Sequence, residues 1–129
     1  MMTNEQRHED VRRATAAAEA AMRTQTVPVN VYETSGVVVV VAPVPAVTPE
    51  DVNIELRGST LRFWAHVRSA APRAYLLHEW DYGGYEREVE LPAGYGAGID
   101  ASLGSGQLAI SVKRGDPPSG VVRATPSGT

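Results

Sequence analysis

The 129-residue chain contains no cysteine. Disulfide frameworks, thiolate zinc sites, iron–sulfur clusters and thiol nucleophiles are therefore excluded. Its only lysine, Lys113, is followed by Arg114 and lies within a strand-like pattern. That excludes a Walker-type ATP loop, which needs Lys followed by Ser or Thr at the end of a glycine-rich turn. There is no excess of positive charge: 12 basic against 15 acidic side chains leave a formal net charge of −3. A nucleic-acid partner is not expected, because such binders carry a basic face. Long apolar runs are missing too. The longest, residues 37–47, is interrupted by Pro43 and Pro45 and is far too short to cross a bilayer. The first residues, Met1-Met2-Thr3-Asn4-Glu5, carry no apolar stretch of signal-peptide length. A cytoplasmic protein with no membrane partner is the expectation.

Reactive constellations are equally scarce. Gly94, Gly96 and Gly98 lack the spacing of a dinucleotide fingerprint and lead into a strand rather than a helix N-terminus. The three histidines, His8, His66 and His78, do not converge in sequence with other metal-ligating residues, so no metal is expected. Ser105, between Gly104 and Gly106, does not have the spacing of a nucleophile elbow. Glu86, Glu88 and Glu90 share one strand face, where three like charges imply a solvated surface or one that faces arginine. No catalytic residues and no cofactor are assigned, and an enzyme is not expected.

What is present divides into three zones. Residues 1–26 form an N-terminal extension rich in Ala and charge. Thr3 with Gln6 fits a capping box, and Glu9 with Arg13 and Glu19 with Arg23 are helix-supporting pairs. A helix is expected over residues 4–23, with a thin apolar face of Val11, Ala14, Ala18 and Met22.

Residues 27–114 switch to a period of two, the signature of strands. Val29 and Val31 alternate with Asn30 and Tyr32, and residues 37–41 are an unbroken run of valine. Val52, Ile54 and Leu56 alternate with polar neighbours, and Gly58-Ser59-Thr60 turns the chain into Leu61, Phe63, Ala65 and Val67. Further strands are expected over residues 75–82, at Tyr85 to Leu91, at Ile99 to Leu103, and at Leu108 to Val112. About eight short strands with turns every 8–12 residues describe an antiparallel β-sandwich or barrel. Residues 115–129, rich in Pro, Gly, Ser and Thr, are expected to form a disordered, flexible C-terminal tail.

The ordered segments of the middle zone carry a resemblance. Val29-Asn30-Val31-Tyr32-Glu33, the valine run, and Ala42-Pro43-Val44-Pro45-Ala46-Val47 with Pro49-Glu50-Asp51-Val52 come first. Then follow Tyr82-Gly83-Gly84-Tyr85-Glu86-Arg87-Glu88-Val89-Glu90-Leu91-Pro92 and Ala101-Ser102-Leu103-Gly104-Ser105-Gly106-Gln107-Leu108. Together these resemble the α-crystallin domain of the small heat-shock protein (Hsp20) family. The resemblance implies an immunoglobulin-like antiparallel sandwich that acts as an ATP-independent holdase. Its partners would be non-native client proteins and further copies of itself. The signature residues are Ala101, Gly106 and Leu108, with Gly106 expected at positive φ in a hairpin turn.

By the same resemblance, a groove for clients or tails would be lined by Val52, Ile54, Leu56, Ile99, Ala101 and Leu103. A dimer interface would use Val29, Val31, Tyr32, Tyr75, Leu77, Trp80 and Arg87. Arg87 alternates with Tyr85 and Val89, so a carboxylate partner is expected for it, in the same chain or across a dimer. The family's tail usually carries two aliphatic residues two apart. Here the tail offers Val121 and Val122 side by side, the expected tail anchors, and then Val122-Arg123-Ala124, which favours a homodimer or small homo-oligomer over a large shell. Residues 1–26 hold no aromatic, unlike the family's usual N-terminal region. An adaptor or structural accessory module that binds one folded partner through the same sandwich stays open as the alternative.

Overall fold

The computed structural model describes residues 25–66, 74–79 and 84–128. Their strands are β1 (Gln25–Thr26), β2 (Asn30–Thr34), β3 (Val37–Pro43), β4 (Val52–Arg57), β5 (Thr60–Ala65), β6 (Tyr85–Glu90), β7 (Tyr95–Gly104), β8 (Gln107–Arg114), β9 (Val121–Ala124) and β10 (Ser127–Gly128). They form two five-stranded sheets, ordered β1-β6-β5-β4-β9 and β10-β7-β8-β3-β2. The expected all-β, immunoglobulin-like sandwich is the architecture found.

Local sequence explains the hairpins. Two-residue turns join β2 to β3 at Ser35-Gly36, β4 to β5 at Gly58-Ser59 and β7 to β8 at Ser105-Gly106. Ser35 and Gly36 have φ of 39° and 77°, and Ser105 and Gly106 have 52° and 74°. Positive φ at both central positions gives the twist that matches flanking strands. Gly106 therefore sits at positive φ as the signature requires. The Val44 N–H donates to the Gly106 carbonyl at 2.8 Å, which ties this turn to the end of β3.

Alternation then builds the core. Val38, Val40 and Ala42 of β3, Ile54 and Leu56 of β4, Leu61 and Phe63 of β5, and Leu108, Ile110 and Val112 of β8 point inward and are almost fully buried. Full burial of each large aliphatic or aromatic side chain contributes about 1.5–3 kcal/mol before ordering costs. The unbroken valine run has its own explanation. β3 is central, between β8 and β2, and its outward Val39 is only 8% exposed. Glu86, Glu88 and Glu90 do lie on the solvated outer face, opposite Trp64, Arg62 and Thr60.

Four sequence expectations change or fall outside. The expected helix over residues 4–23 lies outside the described residues. Residues 25–26, placed in that extension, instead pair in parallel with Tyr85 and Glu86 as β1. Over the candidate strand 75–82, the described residues 75–79 form no strand and are exposed, while residues 80–82 lie outside the described set. A strand needs a paired edge, and among the described residues this segment has no ladder partner. Lastly, residues 115–128 are not a loose tail, because β9 and β10 pair with the two sheets. Composition argued for disorder, but Val122, Ala124 and Pro126 find apolar ground that composition cannot reveal.

Candidate binding groove

The two sheets present their β4 and β7 edges on the same flank of the sandwich. Of the six residues expected to line a groove, Val52, Ile54 and Leu56 lie on β4 and Ile99, Ala101 and Leu103 on β7. Val52, Ile54, Leu56 and Leu103 are buried, while Ile99 and Ala101 are half-buried and pack against the core. The tail pairs alongside both strands.

β9 runs antiparallel to β4, with Val122 opposite Leu56 and Ala124 opposite Ile54. Residues in register share a face, and alternate residues share a face. Val122 and Ala124 therefore point into the groove, where both are partly buried against the core. Val121, opposite Arg57, points outward and is not an inward anchor. The usable pair is two apart, Val122 and Ala124, rather than the adjacent valines. The spacing of Val122-Arg123-Ala124 was the sequence signal for it.

The outer surface of the same strands carries charge. Arg123 of β9 lies 3.8 Å from the Glu55 carboxylate, and Arg62 of β5 lies 3.9 Å from its other oxygen. Arg62 also rests over the Trp64 ring at 4.3 Å and stands in register with Glu88. An alternating row, Arg123–Glu55–Arg62–Glu88, thus crosses β9, β4, β5 and β6. Exposed pairs of this kind contribute about 0–1 kcal/mol each.

β10 closes the other lip. It runs parallel to β7, with Ser127 opposite Ser102 and Gly128 opposite Leu103. The Ser127 hydroxyl donates to the Ala101 carbonyl at 3.3 Å. Gly128 approaches so closely that a Cβ there would meet the Leu103 carbonyl oxygen.

The opposite flank carries the residues assigned to a dimer interface. β2 is an outer strand, exposed along its length, with Val31 and Tyr32 about half exposed, while Val29 is partly buried at the core margin. Tyr75 and Leu77 are also exposed, together with Leu76, and the Tyr75 ring stacks on His78 with centroids 4.4 Å apart. Trp80 lies outside the described residues. Arg87 is half-buried, and its Nη1 donates to the Val27 carbonyl at 3.1 Å. Within the chain, among the described residues, Arg87 meets this carbonyl, because β1 brings the Val27 backbone alongside β6.

β2 is held to the sandwich by a relay that sequence reasoning missed. Arg114 of β8 donates to the Tyr95 hydroxyl at 3.2 Å, and that hydroxyl donates to Glu33 of β2 at 3.3 Å. The Tyr95 hydrogen bond and its neighbouring charge raise the Arg114 pKa further above its already high value. Only the fold brings these three distant positions together.

Chemically, the groove offers apolar floor and main-chain edges rather than reacting groups. Among the described residues no three His, Cys, Asp or Glu side chains gather as a metal site, and no helix is long and apolar enough to cross a membrane.

Comparison with known proteins agrees with this geometry. The model of the Hsp20/alpha crystallin family matches residues 30–124, which span β2 to β9. No curated protein matches the chain. Among solved structures, the hspA of Xanthomonas axonopodis is similar in fold, with a TM-score of 0.63 at 22% identity, covering 70% of this chain and 94% of that one. A small heat-shock protein of Xylella fastidiosa gives 0.61 at 23% identity, covering 73% and 90%. HSP18.5 of E. histolytica gives 0.61 at 16% identity, covering 70% and 88%.

Proposed function

This chain belongs to the Hsp20/alpha crystallin family, and we propose that within it the protein acts as an ATP-independent holdase, binding partly unfolded proteins and limiting their aggregation. The family's members are chaperones rather than enzymes, which fits a site made of apolar floor and strand edges. The observation that carries the reading is the β4–β7 groove, which accepts an extended segment by strand addition at β4 and two small aliphatic side chains on its floor. Exposed stretches of a non-native chain offer that same chemistry: unpaired backbone and alternating apolar side chains. Binding such chains keeps them soluble by mass action, without an energy source.

The protein assembles as a homodimer or small homo-oligomer. Val29, Val31 and Tyr32 of one copy meet Tyr75, Leu77, Trp80 and Arg87 of another. The exposed outer strand β2 and the exposed Tyr75–Leu77 segment support this pairing, since among the described residues neither has a strand partner on its outer side and each carries large apolar side chains. Heating a model client protein with the full chain, without ATP, tests the function by light scattering. Suppressed scattering is expected, and no protection at several-fold molar excess overturns the reading.

One observation favours a second reading, an adaptor that binds a single folded partner. The groove is filled by the chain's own tail, leaving the exposed surface around β2 as the free contact area. Pull-down from unstressed cells separates the two. One stoichiometric partner supports the adaptor, and a broad, heat-dependent set supports the holdase.

A further inference from the structure

The outer face of the β1-β6-β5-β4-β9 sheet carries a charge pattern that the groove does not use. Strand register lines up Glu88, Arg62, Glu55 and Arg123 across β6, β5, β4 and β9. Each alternates with inward-facing neighbours, so all four point outward. The middle of the row is satisfied locally, because Glu55 lies 3.9 Å from Arg62 and 3.8 Å from Arg123. Its two ends are not. Glu88 is exposed and makes no ion pair among the described residues, and the Arg123 side chain stays 79% exposed despite Glu55.

Read from β6 to β9, the row is minus, plus, minus, plus. Read from β9 to β6, it is plus, minus, plus, minus. Such a row is the complement of its own reverse. Consider a second copy laid face to face, turned about a two-fold axis that runs along the strands between β5 and β4. That axis sets β6 over β9 and β5 over β4. Glu88 then meets Arg123 of the second copy, Arg62 meets its Glu55, and the symmetry repeats both contacts. The alternative axis, along the row, sets each charge over its own equivalent and is repulsive. Charge therefore selects one orientation. The adjoining rows do not oppose it, since Glu90 falls over Val121, Thr60 over Arg57 and Trp64 over Asn53.

We propose that this face pairs two copies of the chain about the axis along the strands, through a four-charge row whose unsatisfied ends satisfy each other. Four strands about 4.8 Å apart and three rows about 6.8 Å apart give a footprint of roughly 300–400 Å² per copy. The total is below the roughly 1,200 Å² of a stable interface, so the contact is weak and transient. It is also sensitive to salt, which screens exposed charges. The face is separate from the β2 edge, and its pairing does not rest on the holdase reading.

Sedimentation velocity of the full-length chain tests it at rising concentration, in about 0.01 M and about 1 M salt, where the Debye length is about 30 Å and about 3 Å. At low salt the mean mass rises with concentration, and at high salt that rise is lost. A concentration dependence that ignores salt overturns the proposal. Glu88→Arg and Arg123→Glu each make two facing pairs repulsive, and both positions are exposed, so neither change touches the core. Each alone weakens the low-salt association at least about tenfold. Single variants that associate like the parent overturn the proposal.

Mixing the two variants restores association, because in the mixed pair all four contacts join opposite charges. Both changes in one chain restore it as well. Restoration in either format upholds the pairing of copies. Failure in both overturns it and marks a face shaped for a different partner. If the swap restores association but neither the parent nor the swapped chain protects a client from aggregation, the holdase reading fails and the face pairing stands.

Discussion

At Glu90 two hydroxyls hold a carboxylate in its charged form. Ser59 and Thr60 donate to its two oxygens at 2.7 and 2.8 Å across the β4–β5 turn. The Ser59 bond, then the Thr60 bond, lower the Glu90 pKa below its ordinary value of 4.5. A depressed acid in the folded state favours folding when the unfolded chain would already be charged. The contribution is therefore present above the ordinary glutamate range and is lost as the pH falls through the lowered folded value. Replacing Ser59→Ala together with Thr60→Ala should move the Glu90 titration, followed by carboxyl NMR, back up toward 4.5. It should also flatten the fall in stability on the acid side. An unmoved titration would mean the hydroxyls do not set it. At this scale the sequence showed three alternating glutamates, but not that a turn from another hairpin would single out the last.

At the scale of elements, the alternation of apolar and polar residues located β2 to β8, apart from the segment over residues 75–82. Period two is a property of one strand and needs no knowledge of its neighbours. Strand pairing does need that knowledge, which explains the misses. Residues 75–79 have the composition of a strand, but among the described residues no edge receives them. Residues 121–124 lie in a stretch with the composition of a linker, yet the β4 edge takes them up. The Ser105-Gly106 turn is the most legible element, since a two-residue loop with glycine second requires positive φ there. Gly106→Ala places a Cβ at φ 74°, facing the Pro45 backbone at 3.5 Å. A loss of about 1–2 kcal/mol in urea unfolding is expected from the left-handed conformation, whereas Ser105→Asn, which tolerates that conformation, should leave stability intact or improve it.

For the molecule as a whole, the family-like segments foretold the sandwich. Only the folded chain reveals that the groove is occupied. That depends on where two strands distant in sequence end up side by side. If the tail serves its own protomer, it is not available to link protomers into shells. Native mass spectrometry of the full chain should therefore find dimers or small oligomers, and a Val122→Asp, Ala124→Asp variant should show no smaller assembly than the parent. Dissociation of a large complex by that variant would instead make the tail an assembly arm.

The ladder between β3 and β8 has a kinetic consequence. It joins Val37 to Lys113 and Pro43 to Gln107, nearly opposite ends of the domain. The three tight hairpins close within microseconds to tens of microseconds, about as fast as isolated ones do. The central ladder must wait until almost the whole domain has been gathered, and proteins dominated by such distant pairings refold over roughly milliseconds to seconds. During that interval the valine run is uncovered, so a nascent copy of this protein is briefly the same sort of sticky, half-made chain that its finished relatives exist to shelter.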